Sequence, residues 1–131
     1  MLFVDDEAKS RKYFSRIFGR DYEILVAEDG EEGVEMMNSE AGKEISVIVT
    51  DQIMPKMTGL DLLKVVSESR PKIVRVLSTA YTESSLVEEA VSSGLIDYFI
   101  SKPWDIPKLE ATLKQAAMHS QHNNQVNSSV A

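Results

Sequence analysis

The stretch "SVIVTDQIMPKMTG", residues 46–59, runs four strand-forming residues into an aspartate, then turns through Met-Pro and Thr-Gly. With Ile45 in front, "ISVIVT" (45–50) is rich in β-branched residues and nearly continuous in hydrophobicity. A strand covered on both faces reads this way, and such strands belong to parallel sheets held between helix layers. Asp51 closes the run. Alone it has two readings: a turn residue, as aspartate often is, or a carboxylate held out at a strand end for chemistry. The flanking sequence decides between them.

Four more strand candidates surround this one: "LFV" (2–4), "EILVA" (23–27), "IVRVLST" (73–79) and "YFIS" (98–101). Between them the apolar residues change to helical spacing. Tyr13, Phe14, Ile17 and Phe18 form one stripe in a helix from Ala8 to a glycine stop at Gly19. Asp29 caps a helix with Val34 and Met37 inward. Thr58 and Asp61 have capping-box spacing ahead of Leu60, Leu63 and Val66. Ser85 and Glu88 cap a helix with Leu86, Val87, Ala90 and Val91 on one side, stopped by Gly94. Asp105 caps a last helix with Leu109, Leu113, Ala116 and Ala117 inward. The order is β-α five times over, which predicts an α/β fold with one doubly wound parallel sheet.

The chain has 131 residues, enough for one domain with a core that needs no staples. The expected division is a domain over 1–118 and a polar tail or linker over 119–131. The two histidines of that tail are weak metal candidates. Cysteine is absent, which excludes disulfides, thiolate metal sites and a cysteine nucleophile. No apolar run approaches the roughly 18 residues a membrane span needs, and no signal peptide opens the sequence. A cytoplasmic location is the default expectation. The formal net charge of −7 argues against direct nucleic-acid binding.

Ligands of open parallel sheets bind beyond the carboxyl ends of the strands. Past the first strand come Asp5 and Asp6. Past the third comes Asp51. The fourth ends at Thr79, and the fifth leads to Lys102 and Pro103. Two carboxylates about 4 Å apart repel by about 4 kcal/mol at an effective dielectric of about 20. Three together take up protons or gather a cation, and hard oxygen ligands with room for water suit Mg²⁺. A carboxylate is a competent nucleophile toward phosphorus. The transferred group then needs positive charge at its oxygens, which Lys102 and an ion supply.

"FVDDE", "VTDQIMPKMTGLDLL", "LSTA" and "SKPW" resemble the receiver (CheY-like) domain of bacterial two-component response regulators, over residues 2 to about 117. The resemblance implies a flavodoxin-like five-stranded sheet of order 2-1-3-4-5 with five helices. It implies that Asp51 is the phosphoacceptor, taking a phosphoryl group from a sensor histidine kinase or phosphotransfer protein. Asp6 and Asp51 would ligate Mg²⁺ directly, Asp5 largely through water, and the backbone carbonyl of Ile53 would complete the protein ligands. Lys102 would pair with the phosphoryl group, and its bond to Pro103 would be cis. Thr79 would be the switch hydroxyl, and Phe99, three before the lysine, the switch aromatic. Ile53 and Tyr81 would flank the path of attacking water, and their bulk implies slow loss of the phosphoryl group. A homodimer would form through the fourth helix, fifth strand and fifth helix. The domain would be a signalling switch, not a multiple-turnover enzyme.

Each element also has an ordinary explanation. Asp5, Asp6 and Glu7 suit the acidic first turn of a helix. Lys102 alone is a solvated charge, Phe99 a half-buried strand residue, and Trp104 a packing residue or part of a partner-facing patch. The conjunction at one sheet edge favours the phosphoacceptor. Two alternatives remain: a haloacid-dehalogenase-like phosphohydrolase, which wants an acid where Ile53 stands, and an interaction module that keeps the fold without phosphorylation. A flavin-binding flavodoxin relative fits less well, because the acidic first loop repels a flavin phosphate.

Overall fold

The computed structural model describes the backbone of residues 1–80 and 84–130, and the side chains of 1–80 and 85–123. Tyr81 lies outside the described residues.

Five parallel strands form one sheet in the order β2-β1-β3-β4-β5: β1 Leu2–Val4, β2 Leu25–Ala27, β3 Val47–Asp51, β4 Val74–Ala80 and β5 Tyr98–Lys102. The expected flavodoxin-like order is the observed one. Helices α1 (Ala8–Phe18), α2 (Gly30–Asn38), α3 (Gly59–Ser69), α4 (Ser84–Ser92) and α5 (Ile106–Val130) connect and flank the strands, with a short 3-10 turn at Ala41–Glu44 that the periodicity does not signal. β3 is buried at every residue, as its unbroken apolar run requires.

The core splits into two clusters, one on each sheet face. Leu2, Ile48 and Leu77 point toward Leu62, Leu63 and Val87 on α3 and α4. Phe3, Val49 and Val76 point toward Phe14, Phe18, Leu109 and Leu113 on α1 and α5. The alternation along each strand follows from the pleat. Phe3 and Phe14 stack at 4.0 Å between ring centroids, and burying each such side chain contributes about 1.5–3 kcal/mol.

The caps follow local chemistry. Asp29 accepts from the Glu32 N–H to start α2. Thr58 and Asp61 form both halves of a capping box on α3. Asp105 accepts from the Lys108 N–H at α5. Helix α4 begins at Ser84, so Ser85 lies inside its first turn and does not cap it. Three apolar residues expected inward face out. Leu86 and Val91 flank the buried Val87–Ala90 stripe, and Tyr13 stacks on Trp104 at the surface. A helix stripe wider than the groove it fills leaves its margins exposed.

The polar end differs from expectation. Helix α5 continues unbroken through 119–130, where a frayed tail was expected. As far as Asn123 the extension contacts the domain: Ser120 is buried, Tyr98 Oη meets His119 Nδ1 at 3.3 Å, and Asn123 donates to the Lys72 carbonyl. Polar residues can extend a helix when tertiary contacts hold it, because packing outweighs propensity.

Candidate functional site

Strand register gathers the site. Val4 pairs with Thr50, so Asp5 and Asp51, each one residue further, come level at the strand ends. Ser78 pairs with Asp51, and Ala80 with Lys102. Asp5, Asp6 and Asp51 each offer an oxygen within 4.8 Å of the others. Asp5 is fully buried, Asp51 nearly so, and Asp6 is exposed. The Lys102 ammonium lies 3.1 Å from Asp5 Oδ2 and 3.2 Å from Asp51 Oδ1.

Three carboxylates against one ammonium leave two negative charges at this edge. That matches a divalent ion, and all three donors are hard oxygens. Oxygens around an octahedral Mg²⁺ at 2.0–2.1 Å sit about 3–4 Å apart, so small side-chain movements let Asp6 and Asp51 share one ion, with Asp5 close enough to reach it through water. The residues present fit Mg²⁺.

Burial pushes the Asp51 carboxyl above its ordinary range, Lys102 pulls it back, and Asp5 adds to the rise. For Lys102, burial works against the charge, but Asp5 and Asp51 together outweigh it and raise the ammonium's pKa. Lys102 therefore stays charged, and Asp51 is the strained partner.

The remaining expected residues fall as follows. Thr79 is buried near the end of β4, beside Ser101 of β5. Phe99 lies on β5 and is 46% exposed. Tyr98, its neighbour, is half-buried against His119. Ile53 sits in the loop after β3, 62% exposed. The Lys102–Pro103 peptide is cis.

Three supporting residues, Arg11, Gln52 and Ser78, escaped sequence reasoning, which reads Trp104 as a packing residue or part of a partner-facing patch. Arg11 donates to the Asp5 backbone carbonyl at 2.7 Å and holds the acidic loop against α1. Gln52 donates its N–H to Asp51 Oδ1, while its side chain accepts from the Leu60 N–H at the start of α3. Ser78 and Trp104 bond to each other beneath Lys102. None has a sequence signal of its own. Their roles depend on which strand lies next to which.

A family model described as the response regulator receiver domain matches residues 1–114. The chain belongs to the response regulator receiver domain family. As a receiver domain it is part of two-component signal transduction. It is 34% identical over 116 residues to the hydrogenase transcriptional regulatory protein HoxA of Cupriavidus necator, covering 88% of this chain and 23% of that one. It is 30% identical over 125 residues to the DNA-binding transcriptional regulator NtrC of Proteus hauseri, covering 95% of this chain and 26% of that one. The receiver domain thus spans about a quarter of the length of these curated relatives. Among solved structures, the signal receiver domain of an HD domain-containing protein from Pseudomonas fluorescens Pf-5 superposes with a TM-score of 0.83. The two are 25% identical, over 92% of this chain and 95% of the other. Among the described residues no helix is long and apolar enough to cross a membrane.

Proposed function

We propose that this receiver domain accepts a phosphoryl group on Asp51 from the phosphohistidine of a sensor kinase or phosphotransfer protein, and changes conformation to control an output domain or partner. One observation carries the reading: Lys102 bridges Asp5 and Asp51 at the strand ends, with Asp6 alongside. A carboxylate nucleophile, a fixed cation and a divalent-ion site then share one edge.

In the transfer, an Asp51 oxygen attacks phosphorus. The P–N bond breaks, and the imidazole nitrogen leaves with the bonding pair and takes up a proton. Asp6, Asp51 and the Ile53 carbonyl would hold Mg²⁺, with Asp5 acting through water. The ion, when bound, draws charge from the phosphoryl oxygens. Lys102 turns its ammonium from the bare carboxylate toward the new phosphoryl oxygens. Thr79 moves to donate its hydroxyl to the same group, and the exposed Phe99 ring turns in. Moving such an equilibrium from 1:99 to 99:1 takes about 5.5 kcal/mol. Charge-assisted hydrogen bonds to a phosphoryl group are of that order together.

The domain would act once per phosphoryl group and in the cytoplasm. Residues 1–118 would be the receiver unit, with the rest of α5 leading out of it. The exposed Val91 and Phe99 make the α4–β5–α5 face the dimer surface under this reading. The phosphohydrolase alternative lacks its second acid, since Ile53 holds that position.

Acetyl phosphate with Mg²⁺ and intact-mass measurement test the proposal. Wild type is expected to gain one phosphoryl group and Asp51→Asn none. A label that persists in Asp51→Asn, or repeated turnover of a small phosphate ester, would overturn it.

A further inference from the structure

The geometry points to Trp104 as a positioning residue for Lys102. Its indole N–H, bonded to Ser78, ties the segment just past Lys102, at the end of β5, to the strand next to Asp51. This rests on the phosphoacceptor reading of Asp51 and Lys102 and deepens it.

Trp104 Nε1 donates to Ser78 Oγ at 3.1 Å, and Ser78 is fully buried. Ser78 lies level with Asp51 across the β3–β4 ladder. Its carbonyl accepts from the Gln52 N–H at 3.1 Å, and that same N–H donates to Asp51 Oδ1 at 2.9 Å. One strand residue therefore touches the nucleophile's backbone neighbour on one side and the segment just past Lys102 on the other. The indole ring is held on three sides. Phe3 and Phe14 meet it edge-on at 5.7 and 6.0 Å, and Tyr13 stacks on it at 6.3 Å. The Lys102 ammonium lies 6.0 Å from the ring centroid, at the outer limit of a cation–π contact.

Lysine is a flexible chain with about 2 kcal/mol of rotamer entropy, so a site that needs its charge at one point must limit its freedom. Here only Pro103 separates Lys102 from Trp104. With the ring boxed and its N–H tied to β4, the Pro103–Trp104 segment has little room to shift, and the end of β5 that carries the ammonium is a fixed base. A phenylalanine at 104 would fill much of the aromatic box. It would not supply the donor, and it would leave the buried Ser78 hydroxyl without this partner. The β4–β5 ladder fixes the Lys102 backbone, and the indole bond to β4 holds the residues that follow it in place, so the end of β5 cannot fray away from Asp51.

Trp104→Phe and Ser78→Ala test this separately, because each removes one end of the bond and leaves the other in place. The Lys102 side-chain ¹⁵N resonance, recorded in cold lysine-labelled protein without phosphodonor, is expected to be discrete in wild type. In both variants it should merge with the exposed lysines. Beryllofluoride affinity and acetyl phosphate labelling are expected to fall about tenfold in each, with Mg²⁺ affinity within twofold of wild type. In a Lys102→Ala background, Trp104→Phe is expected to cost nothing more. Unchanged Lys102 resonance and labelling in both variants would overturn the inference, as would an undiminished effect of Trp104→Phe in the Lys102→Ala background. If wild type takes no label, the phosphoacceptor reading falls, and the Lys102 resonance still tests the role of Trp104 by itself.

Discussion

Asp51 and Lys102 lie 3.2 Å apart, although the whole of β4 separates their strands. The contact crosses the carboxyl edge of the sheet, over Ser78 and Thr79. It leaves Asp51 with a cation on one side and the buried Asp5 on the other. That balance is what the proposed phosphoacceptor role asks of Asp51.

Asp51→Asn is expected to stabilise the domain at neutral pH without Mg²⁺. The folded-state pKa of Asp51 is raised, chiefly by burial. As pH climbs, the unfolded chain ionises this group first, so stability is lost between the ordinary carboxylate range and the raised value. Above that the full cost is present. The gain from Asp51→Asn, read as the difference in Tm between variant and wild type, should be largest at neutral pH and vanish below the ordinary carboxylate range. A constant difference across pH would contradict this. Added Mg²⁺ should raise the Tm of wild type more than that of the variant.

Lys102→Ala is expected to fold, but with Asp5 and Asp51 facing each other uncompensated. Labelling by acetyl phosphate should slow by about 10²-fold, the usual loss when one fixed charge partner of a transition state is removed. Mg²⁺ affinity should hold or rise, since a competing cation has gone. Rapid-quench labelling and Mg²⁺ titration of the tryptophan fluorescence measure the two effects.

Thr79→Ala should still accept the label, because the nucleophile and cations are untouched. The conformational response should weaken. Amide shifts of β5 and α4 on adding beryllofluoride are the measurement, and shifts equal to wild type would disprove the coupling of Thr79 to Phe99.

Ile53→Asn should shorten the life of the phosphoryl group several-fold. Under the proposed reading, the exposed isoleucine two residues past Asp51 flanks the path of attacking water, and asparagine would both open that path and orient water. The decay rate of labelled protein decides, and an unchanged rate would exclude Ile53 as a shield.

Gly59→Ala should destabilise the fold by about 1–3 kcal/mol, the usual cost of forcing an atom into a packed site. A Cβ there would run into the Asp51 carbonyl oxygen and meet the Gln52 Cα at 3.0 Å. Because α3 starts directly against the acceptor strand, the substitution should also reduce labelling. Chemical denaturation measures the first effect and acetyl phosphate the second.

Much of this was legible in the residues themselves. The unbroken run before Asp51 announced a strand buried on both faces. The alternation of periods announced a doubly wound sheet, and the polar groups after four strands announced the site's edge. Those features are local, because strand period, capping chemistry and turn residues act within a few positions of one another.

Other features carry no local trace. Arg11, Gln52, Ser78 and Trp104 acquire their roles from neighbours far away in the chain. The polar run after 118 begins as part of α5 with His119 against Tyr98 of β5, Ser120 buried and Asn123 donating to the Lys72 carbonyl. Composition and periodicity thus determined the elements and their order, since short-range backbone and solvation energies set these. Which side chain holds which charge in place depended on strand register. Register is settled only when the two apolar faces of the sheet are buried together.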